Sequence, residues 1–454
     1  MTIKSINPAD GTPVSCFEPM NAGALAERLD AARRAAPDWG RAPLSRRTGL
    51  LISVASLLRE RRAELASLMS REMGKLIGEA EAEIDKCALV CEHYAEHAGT
   101  YLADEVIASD AGRSLVACQP LGTVLAVMPW NFPFWQLFRC AAPALAAGNP
   151  VLLKHASNVP GCAMAIDALF RDAQAPSGVF ATLLIGADAV AGVIADPVVR
   201  AVSLTGSDLA GRKVAAMAGS HLKKTVLELG GSDAFVVLDD ADLDLAAEMA
   251  VKGRFMNAGQ SCIAAKRYVV VESVFAPFIR RLRASIEALR PGDPLRRDTS
   301  LAPMARADLR DELHAQVQAS IDAGAALIVG GHAIDGPGYF YAATLLDQVV
   351  PGMPAYDDEL FGPVASLIHA ADEDDALRIA NDTRFGLGGS VWTQDSARGE
   401  GFARRMACGC AFVNGMVKSD PRLPFGGIGD SGYGRELSRL GIREFVNQQS
   451  IWIR

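Results

Sequence analysis

"TVLAVMPWNFPFWQLFRCAAPALAAGNPVLLK", residues 123 to 154, decides the fold. Around it, from Ser114 to Leu153, the only charged residue is Arg139. A run that apolar raises the question of a membrane. Pro120, Pro129, Pro133, Pro143 and Pro150 interrupt it, with Asn131 and Gln136 between them. A spanning helix tolerates such breaks poorly. The stretch reads instead as an apolar strand, a proline-pinned turn, a helix and a second apolar strand. Strands without polar alternation belong to a parallel sheet covered by helices on both faces.

Outward from this unit the same alternation continues. "FATLLIG" (180–186), "AVSLT" (201–205), "TVLEL" (225–229) and "DAFVVL" (233–238) are short apolar runs set among helix-length segments. After residue 262 a second set follows: "RYVVVES", "AALIVGG", "ASLIHA", "GGSVWT" and "CAFVNG". Upstream, residues 21 to 105 have apolar positions at helical spacing. The expected class is α/β with two doubly wound parallel-sheet domains divided near Gly230–Gly231. The last residues, "FVNQQSIWIR", read as a strand that needs a partner, such as another subunit.

The chain has 454 residues, too many for one core, with 50% hydrophobic and 22% charged residues. A net charge of -8 gives no reason to expect nucleic acid or an anionic membrane as partner. Nine cysteines, an odd number, behind the polar start "MTIKSINPADGTPV" suggest reduced thiols and a cytoplasmic location.

Four local patterns carry less. "GIGDSG" (427–432) matches a dinucleotide fingerprint in letters, but no strand precedes it and too little chain follows; a turn into a helix is expected. His93 and His97 in "HYAEH" lack the glutamate and third ligand of a zinc site and read as exposed helix residues. "DDADLD" (239–244) reads as a helix start, and Cys408 with Cys410 as packing on one strand. No metal is expected.

The chemistry gathers elsewhere. In "FMNAGQSCIAAKR" (255–267), Cys262 follows small residues that let backbone approach a substrate closely. A lone cysteine is more often structural, so its surroundings must decide. A cysteine nucleophile acting on a carbonyl needs oxyanion donors and a base for water. "PWNFP" (129–133) holds Asn131 in a pinned turn after a strand, and "LELGG" (227–231) places Glu228 in an apolar strand end, where desolvation raises a carboxyl pKa. Locally, a buried salt bridge explains Glu228 as well.

"MPWNFP", "LLKHAS", "LTGS", "LELGG", "NAGQSC", "DELFGPV" and "PFGG" occur in the order and spacing of the aldehyde dehydrogenase superfamily. The resemblance covers essentially the whole chain, and "PWNFPFWQLFR" and "SDPRLPFGG" are most similar to its bacterial succinate-semialdehyde branch. It implies that Cys262 attacks the aldehyde, that Asn131 and the Cys262 N–H hold the oxyanion, and that Glu228 activates water to hydrolyse a thioester. It implies a coenzyme, NADP or NAD, along Trp130 and Asn131. Lys154 and Ser157 would meet its adenosine ribose, Gly206 and Ser207 its pyrophosphate, Leu229 its nicotinamide, and Glu359 with Phe361 the nicotinamide ribose. Small, neutral Ser157 next to Lys154 suggests that NADP+ is accepted, even preferred, with NAD+ also usable.

The resemblance further implies a coenzyme domain of residues 1–101 and 121–229, a catalytic domain of 230–433, and a small β oligomerisation element of 102–120 and 434–454. A homodimer or homotetramer acting on a small aldehyde follows. His155 stands where most relatives have proline, and Gly429 where many have a basic residue. Ala264 replaces the second cysteine of some relatives, so no local disulfide is expected. Glu228 argues against transfer of the acyl group to CoA; another short aldehyde, or a thiol hydrolase without redox chemistry, are the other readings. Arg139, buried by its surroundings, needs an anion. That anion is either a structural carboxylate or the distal carboxylate of a semialdehyde acid, with Ser419 as a second contact.

Overall fold

The computed structural model describes residues 2–454. Four helices, Ala22–Arg41, Leu44–Glu60, Arg62–Met73 and Ile77–Tyr101, open the chain after a short hairpin of Ile3–Ile6 with Pro13–Phe17. Pro43 separates the first two helices, and Gly74, left-handed at φ 83°, ends the third. The apolar faces of these helices close over Trp135–Ala146, the helix inside the opening stretch, whose residues are all buried.

The expected strand, turn, helix and strand are present as Thr123–Met128, Trp135–Ala146 and Val151–His155. They belong to a six-stranded sheet in the order Gly432–Tyr433, Lys224–Glu228, Val199–Thr205, Thr123–Met128, Val151–His155, Phe180–Thr182. All pairs are parallel except the Gly432–Tyr433 edge. The chain leaves Thr123–Met128 in one direction and returns on its other side through Val199–Thr205. The strand order therefore reverses there, and a crevice opens beyond the carboxyl ends of these two strands.

The second sheet has seven strands in the order Ala326–Val329, Thr344–Asp347, Val364–Ala370, Ala265–Val271, Asp233–Val237, Gly388–Trp392, Cys410–Val413. Only Ala326–Val329 runs antiparallel. Thr344–Asp347 carries no clear sequence signal because its four residues sit among turns. The connection from Asp233–Val237 to Ala265–Val271 carries the helix Leu243–Phe255, capped by Asp242, and then the loop of Cys262. A third sheet pairs Arg113–Pro120 with Val446–Ile453 and Glu105–Val106.

Several expectations need correction. "GIGDSG" does not turn into a helix: a short turn at Gly429–Ser431 leads into Gly432–Tyr433, which adds to the edge of the first sheet. The segment after residue 433 is not all part of the third sheet. Leu437, Ile442 and Phe445 pack into the first core, and only Val446–Ile453 crosses to the small sheet. His93 is buried, not exposed, with Nε2 3.2 Å from the Tyr101 hydroxyl. Cys408 lies before the strand that begins at Cys410, so the two share no strand. Among the described residues no helix is long and apolar enough to cross a membrane, and no cluster of metal-ligating side chains occurs.

Candidate active site

Cys262 lies where two cavities meet. One, of about 530 Å³, is lined by Trp135, Arg139, Phe425, Lys86 and Ser419 among others. The other, of about 430 Å³, lies at the strand ends and is lined by Trp130, Asn131, Gly206, Ser207, Leu229, Glu359 and Phe361. Both reach Cys262 and Gln136.

The Cys262 loop is held under backbone strain. Asn257 and Ala258 are left-handed at φ 54° and 52°, and Gly259 follows at 73°. Residues other than glycine pay about 1–2 kcal/mol each for this conformation. The compensation is a dense set of hydrogen bonds. The Asn257 N–H donates to the Glu79 carboxylate at 3.0 Å, and Asn257 Nδ2 to the carbonyls of Asn131 (2.8 Å) and Gln260 (3.1 Å). Buried Arg254 donates to the Gly259 carbonyl at 3.2 Å and to Leu360 at 2.6 Å. Gly259 allows closer approach than any side chain would: a Cβ there would collide with the Gly362 carbonyl.

Asn131 is fixed to the same loop, its Nδ2 donating to the Gln260 carbonyl at 3.0 Å. An amide nitrogen has two hydrogens, so one remains to donate. The turn that carries Asn131 is tied down by His155. Burial brings this imidazole down to about 4, so it is neutral. Its Nδ1 accepts from the Ala156 N–H at 2.9 Å, which leaves the proton on Nε2 to donate to the Pro133 carbonyl at 2.8 Å. His155 thus pins the turn from its far side.

Burial pushes the Cys262 thiol up to about 12, against the opposing pull of Arg139 and Lys266. These two cations favour the thiolate, but desolvation outweighs them. The resting group is a thiol whose proton must leave as it attacks. Lys266 Nζ donates to the Ser261 and Cys262 carbonyls at 2.8 and 2.9 Å and pairs with Glu359 at 3.1 Å.

Glu228 is buried, and among the described residues nothing donates a hydrogen bond to either carboxylate oxygen. Burial raises it well above the usual carboxylate range, Arg139 opposes the rise, and Glu436 adds to it. The salt bridge that would have explained Glu228 structurally belongs to another residue. Arg139, 3% exposed in its side chain, pairs with Glu436 and donates to the Thr205 hydroxyl at 3.1 Å. A structural carboxylate partner, one of the two readings of Arg139, is thus present, and Arg139 also lines the cavity beside Cys262. The anion it requires is Glu436, which no sequence pattern announced.

The strand-end cavity suits a dinucleotide by its donor set. Ser207 caps the helix Asp208–Ser220, its Oγ accepting from the Ala210 N–H at 3.3 Å, and the positive end of the helix dipole at this cavity favours a pyrophosphate. Glu359 Oε1 accepts from the Gly231 N–H at 3.1 Å. Its Oε2 occupies space that only a glycine at 230 leaves open, since a Cβ there would collide with it. Phe361 meets Trp130 edge-on at 5.9 Å between centroids. Lys154 lies partly buried near the end of its strand, with Ser157 exposed just beyond. Gly429 is left-handed at φ 60°, and a Cβ would meet the Arg384 carbonyl at 2.7 Å, so no basic side chain fits there without strain.

Residues 1–451 match the aldehyde dehydrogenase family. The chain belongs to that family. It is 50% identical to a probable succinate-semialdehyde dehydrogenase [NADP(+)] of Synechocystis sp., over the full length of both chains. It is 45% identical to the succinate semialdehyde dehydrogenase [NAD(P)+] Sad of Escherichia coli, covering 99% of this chain and 97% of that one. Among solved structures, succinic semialdehyde dehydrogenase from Streptococcus pyogenes in complex with NADP+ superposes with a TM-score of 0.98 at 39% identity, covering 99% of each chain. The protein is an aldehyde dehydrogenase, and its two-sheet architecture is that of the family.

Proposed function

We propose that this enzyme oxidises succinate semialdehyde to succinate with NADP+ or NAD+. The observation that carries the reading is the position of Cys262, open to the strand-end crevice on one side and to an apolar cavity with cationic lining on the other. Relatives at 45–50% identity bear the matching name.

Trp130, Asn131, Lys154, Ser157, Gly206, Ser207, Leu229, Glu359 and Phe361 hold the coenzyme. A nicotinamide bound there supplies the hydride acceptor. Cys262 Sγ adds to the aldehyde carbon as its proton passes to water, and the free hydrogen of Asn131 Nδ2 with the Cys262 N–H stabilises the oxygen as it becomes negative. Once the carbon has reached the acyl level, it remains on sulfur as a thioester. Glu228, without a hydrogen-bond donor of its own, is free to take a proton from water, and the hydroxide releases the acid. Small, uncharged Ser157 leaves room for a ribose 2′-phosphate beside Lys154, in keeping with NADP+.

In this reading residues 1–101 and 121–229 bind coenzyme, 230–433 supply the nucleophile, and the three-stranded sheet joins copies into a cytoplasmic homodimer or homotetramer. An aldehyde panel assayed with both coenzymes, followed by absorbance of the reduced nicotinamide, tests it. Succinate semialdehyde should give the highest kcat/KM. Reduction that requires CoA would instead indicate acyl transfer, and no reduction with any aldehyde would indicate a thiol hydrolase.

A further inference from the structure

We propose that Lys266 is a positioning residue that makes the reactivity of Cys262 depend on whether coenzyme occupies the strand-end crevice. This rests on the coenzyme reading of Glu359 above and adds a link between that carboxylate and the nucleophile.

Lys266 is the second residue of the strand Ala265–Val271, and its side chain is 2% exposed. It lines neither cavity, so it acts only through its neighbours. Those neighbours belong to two segments. On one side its Nζ donates to the carbonyls of Ser261 and Cys262 at 2.8 and 2.9 Å. On the other it pairs with Glu359 Oε1 at 3.1 Å, its one ion pair among the described residues. The hydrogens of one ammonium are enough for these acceptors, with none left over. Asp233, another carboxylate that feels this charge, is turned to the Gly388 N–H at 3.0 Å. Glu359 is the member of the set that a coenzyme can reach, because it also lines the strand-end crevice.

The backbone around this set is locked. Arg254, fully buried and without a carboxylate partner, donates to the carbonyls of Gly259, Leu360, Gly362 and Val364. One guanidinium thereby ties the nucleophile loop to the segment that carries Glu359 and Phe361. A change at Glu359 therefore reaches Cys262 through side-chain charge, not through movement of either segment. The charges act in opposite directions at the sulfur: Lys266 favours the Cys262 thiolate, and Glu359 opposes it. Hydroxyls of a bound ribose would donate to Glu359 and take up part of its charge. The charge of Lys266 is then less offset, and the field at Cys262 shifts towards the thiolate. The nucleophile thus gains reactivity when the hydride acceptor is in place.

The test measures how fast iodoacetamide alkylates Cys262, by peptide-mapped mass spectrometry, without coenzyme and with saturating NADP+ or NAD+. Tryptophan fluorescence follows coenzyme binding separately, since Trp130 lines the crevice. Shielding of the thiol by bound nicotinamide cancels when the ratio of rates with and without coenzyme is compared between variants. In Lys266→Met this ratio should fall by roughly 5-fold or more relative to the wild type, the low end of coupling between two sites. Lys266→Gln keeps hydrogen bonds to the carbonyls without the charge and should fall likewise; it takes the place of the methionine variant should that fail to fold. Lys266→Arg should keep most of the wild-type ratio. A role confined to packing would lower the melting temperature and leave the ratio as it is. An unchanged ratio in a variant that binds coenzyme overturns the proposal. A wild-type enzyme that binds neither NADP+ nor NAD+ would instead overturn the coenzyme reading of the crevice.

Discussion

At the scale of single residues, two buried charges near Cys262 have opposite needs. Burial holds the Glu228 carboxylate well above the usual range, with no donor to offset it, so it gains its negative charge only as pH rises. If it activates water, kcat should climb with pH as this group ionises. Glu228→Gln should abolish that limb. The variant should still release about one equivalent of reduced coenzyme in the first turnover, then slow by roughly 10²- to 10⁴-fold, the usual worth of a general base. Rapid-mixing absorbance measurements across pH check this; loss of the first-turnover burst would place Glu228 in an earlier step. Arg139 is different because its charge is already matched by Glu436. Arg139→Met should leave that carboxylate buried and unpaired, costing about 3–5 kcal/mol. Adding Glu436→Gln should recover most of the loss, as urea unfolding of the single and double variants would show. Should the double variant be no more stable than the single one, the pair is not what Arg139 is for. Cys262, Asn131 and Glu228 were legible in the sequence because each sits in a short motif whose neighbours explain it. Glu436 and Lys86 were not. They reach the site from the two ends of the chain, and only the packing of the Ile77–Tyr101 helix and the last turn against Trp135–Ala146 brings them there.

At the scale of elements, the strand, turn and helix of residues 123–146 are legible from the sequence alone, because prolines punctuate them and burial removes polar alternation. The order of strands is not, nor is the edge pairing of Gly432–Tyr433, since two residues carry no periodic signal. The Cys262 loop shows the same limit. Its small residues suggested close approach, and the reason is concrete: three successive left-handed residues pressed against Gly362. Gly259→Ala should be damaging on both counts. The φ of 73° and the contact with the Gly362 carbonyl leave no room for a methyl group. The loop must shift, and a misplacement of about 1 Å at a nucleophile costs on the order of 10²-fold in rate. Steady-state assay together with thermal melting measures both effects. Full activity in this variant would mean that the loop adjusts without moving Cys262.

At the scale of the whole molecule, the small third sheet differs from the two large ones in what it leaves uncovered. Val446–Ile453 pairs along its eight residues with Arg113–Pro120 and presents its other edge to solvent. Trp452 and Ile453 are 56% and 46% exposed there, and Val106 at the opposite edge is 68% exposed. A long, uncovered edge flanked by apolar side chains is a standing invitation to pairing, and natural sheets rarely leave one open. A second copy of the chain is the expected cover, in keeping with the apolar, strand-like character of "SIWIR" itself. Light scattering coupled to gel filtration should therefore give a multiple of the 48.0 kDa chain mass. Trp452→Glu combined with Ile453→Glu should shift the population towards the single-chain mass, because two carboxylates would have to be buried against the partner. The folded active site lies on other elements, so the dissociated form should still bind coenzyme. A wild-type enzyme that runs as a single chain would mean that this edge is blunted some other way. A double variant that keeps the oligomer mass would place the subunit contact elsewhere on the surface.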